Sequence, residues 1–143
     1  MQVKEILATK GRDVATISQG RTVDDAIRLL RERGIGALIV TGVTGPLVGI
    51  FSERDVVRAL ASGGPDALTM KVADFMSTTV TTCAETTSID SLMSLMTERR
   101  IRHVPVVENG ALAGMVSIGD VVKWRVDELE KEKRDLIDYV SAR

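Results

Sequence analysis

The sequence predicts an α/β (α+β) fold built from two copies of one β-α-β-β-α unit, followed by an extended C-terminal helix. Three observations predict it: an internal repeat, short apolar runs alternating with amphipathic stretches, and an apolar seam that outruns the second copy. Residues 14–40 lie over residues 80–106 at a constant offset, with Val14/Val80, Thr16/Thr82, Asp24/Asp90, Leu29/Leu95, Glu32/Glu98 and Ile35/Ile101 identical. After one extra residue in the first copy, GPLVGIFSERDVVR (45–58) matches GALAGMVSIGDVVK (110–123). A duplication of this length implies two small folds sharing one core, with a cleft at their pseudo-twofold seam.

The elements follow in chain order. Val14–Ile17 is a short β-prone run. Val23–Arg33 is a helix, because Val23, Ala26, Ile27 and Leu30 fall on one face and Thr22 stands at the N-cap position. Ala37–Thr41 and Leu47–Ser52 are apolar strands around a Gly42–Pro46 turn. Glu53–Ala61 is the second helix, closed by Ser62-Gly63-Gly64-Pro65. In the second copy, Val80–Cys83 is the first strand. The next helix carries Ile89, Leu92, Met93 and Met96 on one face behind the N-cap Ser88. Strands His103–Val107 and Leu112–Ser117 flank Asn109-Gly110, the strongest hairpin signal in the chain. These boundaries divide the chain into repeat 1 (1–64), a linker (65–71), repeat 2 (72–125) and a helical extension (126–143).

In that extension Val122, Val126, Leu129, Lys133, Leu136 and Val140 recur at spacings of four and three. Two readings stand: a helix packed on its own core, or a self-association helix. The basic, glycine-containing stretch Lys10-Gly11-Arg12 has no counterpart in the second copy.

Composition narrows the function. Nineteen basic against twenty acidic side chains give a net charge of -1, which draws the molecule to neither nucleic acid nor an anionic membrane. Cys83 is the one cysteine and His103 the one histidine, so four-ligand zinc sites and Cys–His nucleophile pairs are poorly supplied. Cys83 reads as a small buried hydrophobe. No apolar signal region and no membrane-length apolar run is present, so a soluble, cytoplasmic protein is expected.

The polar motif that recurs is Ser-x-x-Asp: Ser52-Glu53-Arg54-Asp55 and Ser117-Ile118-Gly119-Asp120, each after a strand and at a helix start. Such a tetrad is a near variant of the helix capping box. It is also suited to a ligand. A helix N-terminus favours an anion, and an acidic residue there can accept both hydroxyls of a ribose. Each tetrad begins three residues after a glycine, Gly49 or Gly114, which could let backbone approach a ligand closely. Ile50 and Met115, next in the chain, would flank the same place as an apolar wall for a base.

With GIFSERDVV in the first copy and RIRHVPVV…GMVSIGDVV in the second, the chain resembles a tandem pair of CBS (cystathionine β-synthase) domains, a Bateman module. The resemblance covers residues 1–125, nearly all of the chain, and the longer arrangement resembles a stand-alone bacterial subgroup. It implies two units packed sheet to sheet, leaving two clefts for adenosine-containing ligands: AMP, ADP, ATP, NAD(H) or S-adenosylmethionine. It also implies pairing of modules into a homodimer. In the second-copy site, Asp120 would take the ribose hydroxyls and Ser117 would help with phosphate, with Arg102 and His103 as basic partners. Arg21, Ala26 and Gly36 would complete that site. In the first-copy site, Asp55 and Ser52 would play the same parts, joined by Thr87, Leu92 and Arg102. There Gly36 and Ala37 replace the Arg102-His103 pair, so Arg54 would supply the positive charge, while Lys10 in the extra loop would be within reach of the phosphates at either site.

The expected function is therefore a regulatory module without chemistry of its own, binding an adenine nucleotide and signalling to a separate protein partner. The alternative is an interaction scaffold whose tetrads are only caps. Neither paired carboxylates, a metal cluster nor a nucleophile elbow points to an enzyme.

Overall fold

The computed structural model describes residues 1–142. Its elements are α1 (Val3–Lys10), β1 (Thr16–Ser18), α2 (Val23–Arg33), β2 (Ala37–Thr41), β3 (Leu47–Ser52), α3 (Glu53–Gly63), α4 (Ile89–Arg99), β4 (His103–Glu108), β5 (Ala111–Ser117) and α5 (Ile118–Ser141). They form two compact units: Asp13–Thr82, and Met1–Arg12 together with the chain from Cys83 on.

In the Asp13–Thr82 unit, β1 pairs parallel with β2 and β2 antiparallel with β3. The parallel crossover is α2, whose start and end follow from local chemistry. Thr22 Oγ1 accepts from Asp25 N–H at 3.1 Å, and Asp25 Oδ2 accepts from Thr22 N–H at 3.2 Å, a reciprocal capping box. Gly34 ends the helix in the left-handed region, φ 61°. Val23, Ala26 and Leu30 pack with Leu38, Val40, Phe51 and Val72. The segment expected as a linker is structured: Gly64–Thr69 is a 3-10 helix that buries Ala67, and Val72 enters the core.

In the other unit, β4 and β5 form the hairpin, with Asn109 at φ 51° and Gly110 at φ 77° as a two-residue turn requires. Each hairpin carries a register irregularity at the same relative place, Val40/Thr41 and Val106/Val107. The strand expected over Val80–Cys83 is reduced to one residue. Cys83 bridges Val106 in parallel, donating to Pro105 O at 3.0 Å and accepting from Val107 N–H at 2.9 Å. The chain then turns away, its Ala84 N–H satisfied by Thr87 Oγ1 at 2.9 Å.

The helix over Val3–Lys10 goes beyond the elements expected from the sequence. Its signal was Val3, Ile6 and Leu7, three apolar residues at one-turn spacing in a short charged stretch. All three are buried with Ile89, Leu92, Met96, Val104, Val106, Val116 and Val121. The second repeat thus completes its core with a segment that precedes the first. Val3 N–H to Thr87 O and Lys4 N–H to Glu85 O, both 2.9 Å, hold α1 in place, and Arg12 pairs with Glu85 just beyond it. Val121 and Trp124 of α5 pack on the same core. Further along, Val126, Leu129, Leu136 and Val140 stand 46–65% exposed. Among the described residues, no helix is long and apolar enough to cross a membrane.

Candidate ligand-binding site

Both Ser-x-x-Asp tetrads cap their helices, and they do so differently. Asp120 Oδ2 accepts from Ser117 N–H at 2.9 Å while Ser117 Oγ accepts from Asp120 N–H at 3.2 Å. In the first copy, Asp55 Oδ2 accepts from Ser52 N–H at 2.8 Å and from the Ser52 hydroxyl at 3.2 Å. The residue just before β2 or β4 contributes equally in both copies. Glu53 N–H donates to Gly36 O at 3.0 Å, and Ile118 N–H donates to Arg102 O at 2.8 Å.

The sheets place the remaining candidates around these starts. His103 lies directly opposite Ser117, and Pro105 opposite Met115. Cross-strand partners share a face, so His103, Met115 and Ser117 stand together on the face away from Val104 and Val116. In the first copy Ala37 lies opposite Ser52 and Ile39 opposite Ile50, again on one face. Arg102 and Arg54 are exposed.

The two aspartates differ in accessibility and in counter-ion. The Asp55 side chain is 5% exposed, and Arg58 Nη1 stands 3.4 Å from its Oδ1. Sequence reasoning looked to Arg54 for this charge. Arg58 is one helical turn along, and its i,i+3 spacing was the available signal. The Asp120 side chain is 24% exposed, and Lys10 Nζ lies 2.6 Å from its Oδ2. Burial is the largest influence on Asp120 and pushes its pKa up. The hydrogen bond from Lys10, those from Ser117 and the Lys10 charge together outweigh it and hold the carboxyl below its ordinary value. Asp120 is thus a partly exposed, ionised carboxylate at a helix start.

The other expected site residues have these surroundings within their own units. Ala26 and Leu92 are fully buried in the two cores. Thr87 serves the turn before α4, and its carbonyl holds α1. Arg21 bonds Asp25 Oδ2 through Nε at 3.1 Å, lining a groove of ≈ 500 Å³ between β1 and α2 with Thr16, Ile17, Arg28, Leu29 and Glu32. Gly49 and Gly114 make room for the chain itself, which differs from the close approach to a ligand that their position suggested. A Cβ on Gly49 would meet Ser77 O and Met76 Sδ at 2.8 Å, and one on Gly114 would meet Leu7 Cδ2 at 2.8 Å. Among the described residues no cluster of three or more His, Cys, Asp or Glu could hold a metal ion.

The sequence profile of the CBS domain matches residues 3–62 and 72–127, which together span most of the chain and contain both tetrads. The chain belongs to the CBS domain family. Its fold is similar to that of a CBS-domain protein from Agrobacterium tumefaciens, with 46% identity, a TM-score of 0.85, and 87% of this chain and 92% of that one covered. Two further similar CBS structures hold ligands. A CBS protein from Pyrobaculum aerophilum, complexed with AMP, is 26% identical, with a TM-score of 0.75 over 84% of this chain and 89% of that one. The CBS domain pair of a protein named MJ0100, in complex with 5′-methylthioadenosine and S-adenosyl-L-methionine, is 25% identical, with a TM-score of 0.80 over 90% and 98%.

Proposed function

We propose that this CBS protein is a non-catalytic regulatory module that binds an adenosine-containing ligand at the second-copy Ser117–Asp120 helix start. The observation that carries the reading is the state of Asp120: ionised, partly exposed and at the N-terminus of a 24-residue helix. A carboxylate so placed suits the two hydroxyls of a ribose, and the backbone N–H groups beside it suit a phosphate. AMP, 5′-methylthioadenosine and S-adenosyl-L-methionine, the ligands of the two similar CBS structures, share that adenosine. Asp55, buried and paired with Arg58, is the less accessible counterpart.

Binding transmits a signal only where the ligand favours one arrangement of the protein over another. The signal then passes to a separate protein partner, and the exposed apolar seam of α5 is the surface for a second copy of the chain. The alternative is an interaction scaffold, favoured by the reciprocal cap in which Ser117 and Asp120 bond one another without a ligand.

Thermal stability across AMP, ADP, ATP, NAD, NADH, 5′-methylthioadenosine, S-adenosylmethionine and a GTP control separates the two. A ligand at about 100 times its Kd stabilises the fold by ~2.7 kcal/mol. Asp120→Ala should abolish that ligand-dependent shift, whereas loss of a cap alone costs about 1 kcal/mol and leaves the shift intact. No shift with any adenosine compound would leave the scaffold standing.

A further inference from the structure

We propose that Lys10 is an intramolecular competitor for Asp120 that makes the second-copy site select phosphorylated adenosines over uncharged or cationic ones. The inference rests on the ribose-binding role of Asp120 given above.

Lys10 Nζ donates to Asp120 Oδ2 at 2.6 Å and to the carbonyl oxygen of Met115 at 2.8 Å, across 110 and 105 residues of sequence. Its base does not drift. Lys10 is the last residue of α1, and Val3, Ile6 and Leu7 bury that helix in the core. Only the side chain, 35% exposed, is free to turn.

Oδ2 also accepts the Ser117 N–H at 2.9 Å. A carboxylate oxygen has about two lone-pair sites, so Lys10 and Ser117 fill this one. A ribose diol that donates to both carboxylate oxygens needs a place on Oδ2, and one of its two donors must yield. The Ser117 N–H is fixed by the helix start. The ammonium, on four flexible methylenes, is the group that moves.

Displacement separates a close ion pair and leaves the lysine charge to be compensated. An uncharged nucleoside brings nothing to replace the carboxylate. A phosphate ester on the same nucleoside brings up to two negative charges, which the displaced ammonium can pair with instead. A sulfonium compound with net positive charge meets the lysine as a like charge. The contact therefore opposes every diol, and only an anionic ligand recovers what it loses. In the first copy the counter-ion of Asp55 is instead Arg58 of its own helix.

The test is calorimetric titration of the full chain with adenosine, 5′-methylthioadenosine and AMP, in wild type and in Lys10→Met and Lys10→Gln. Lys10→Arg, which keeps the charge, is the rescue. Losing the ammonium should tighten adenosine and 5′-methylthioadenosine and leave AMP little changed. The AMP-to-adenosine affinity ratio should fall at least about tenfold, and Lys10→Arg should restore it. A ratio unchanged in both neutral variants overturns the proposal while leaving the adenosine site intact. If folded wild-type protein binds none of the three, the site reading fails and this inference with it.

Discussion

Gly114 faces Leu7 so closely that a Cβ on the glycine would lie 2.8 Å from Leu7 Cδ2. Through this contact α1 seats on the β4–β5 hairpin, and the end of α1 carries Lys10 to Asp120. The core contact and the site contact therefore depend on one helix.

Leu7→Ala should destabilise the protein by about 2–5 kcal/mol, since Leu7 is 1% exposed and the cavity cannot fill from solvent. Urea unfolding checks it. A loss below about 0.5 kcal/mol would mean that α1 is peripheral to the fold.

Gly49→Ala and Gly114→Ala should both destabilise, Gly49→Ala by more. Overpacking typically costs about 1–3 kcal/mol. At Gly114 the obstruction is the tip of a leucine, which can turn in part. At Gly49 it includes the backbone carbonyl of Ser77, which accepts from Ile50 N–H at 3.0 Å and cannot withdraw without losing that bond. Equal unfolding midpoints for the two variants would contradict this ranking.

The Asp120 interactions should fade in acid. Its folded pKa lies below the ordinary value of 3.8, so the folded state favours the ionised form. The stability this contributes is full above 3.8 and is lost as pH falls through the lowered folded value. The stability difference between wild type and Asp120→Asn should be flat from pH 7 to about 4.5 and shrink below that. A difference that grows in acid would reverse the sign.

Cys83 should be a slow nucleophile. Burial pushes its thiol up to about 11, so roughly one molecule in a thousand is thiolate at pH 8. Alkylation by a small thiol reagent at that pH should be far slower than that of free cysteine. A rate equal to free cysteine would show the strand bridge at Cys83 opening freely.

If α5 pairs with a second copy of the chain, Leu129→Asp should shift sedimentation toward monomer with little change in the stability of each chain. Leu129 is 47% exposed and contributes little to its own core. An unchanged sedimentation profile would place the dimer contact elsewhere.

The repeat, both amphipathic helices, the Asn109-Gly110 hairpin and the two tetrads were legible in the sequence because each is local. Periodicity, caps and turn chemistry act within a few residues, and duplication wrote them twice. What only the tertiary structure decided was non-local. Val3, Ile6 and Leu7 are too short a pattern to declare a helix alone, and α1 forms because the second repeat offers it a core. Val80–Cys83 has strand-like residues, yet only Cys83 finds a ladder partner. The two aspartates look alike in sequence and are set apart by their surroundings: Arg58 one turn along for Asp55, and Lys10, 110 residues away, for Asp120. Spacing along a chain shows which side chains share a helix face. Which charge meets which carboxylate is settled only where separate elements pack.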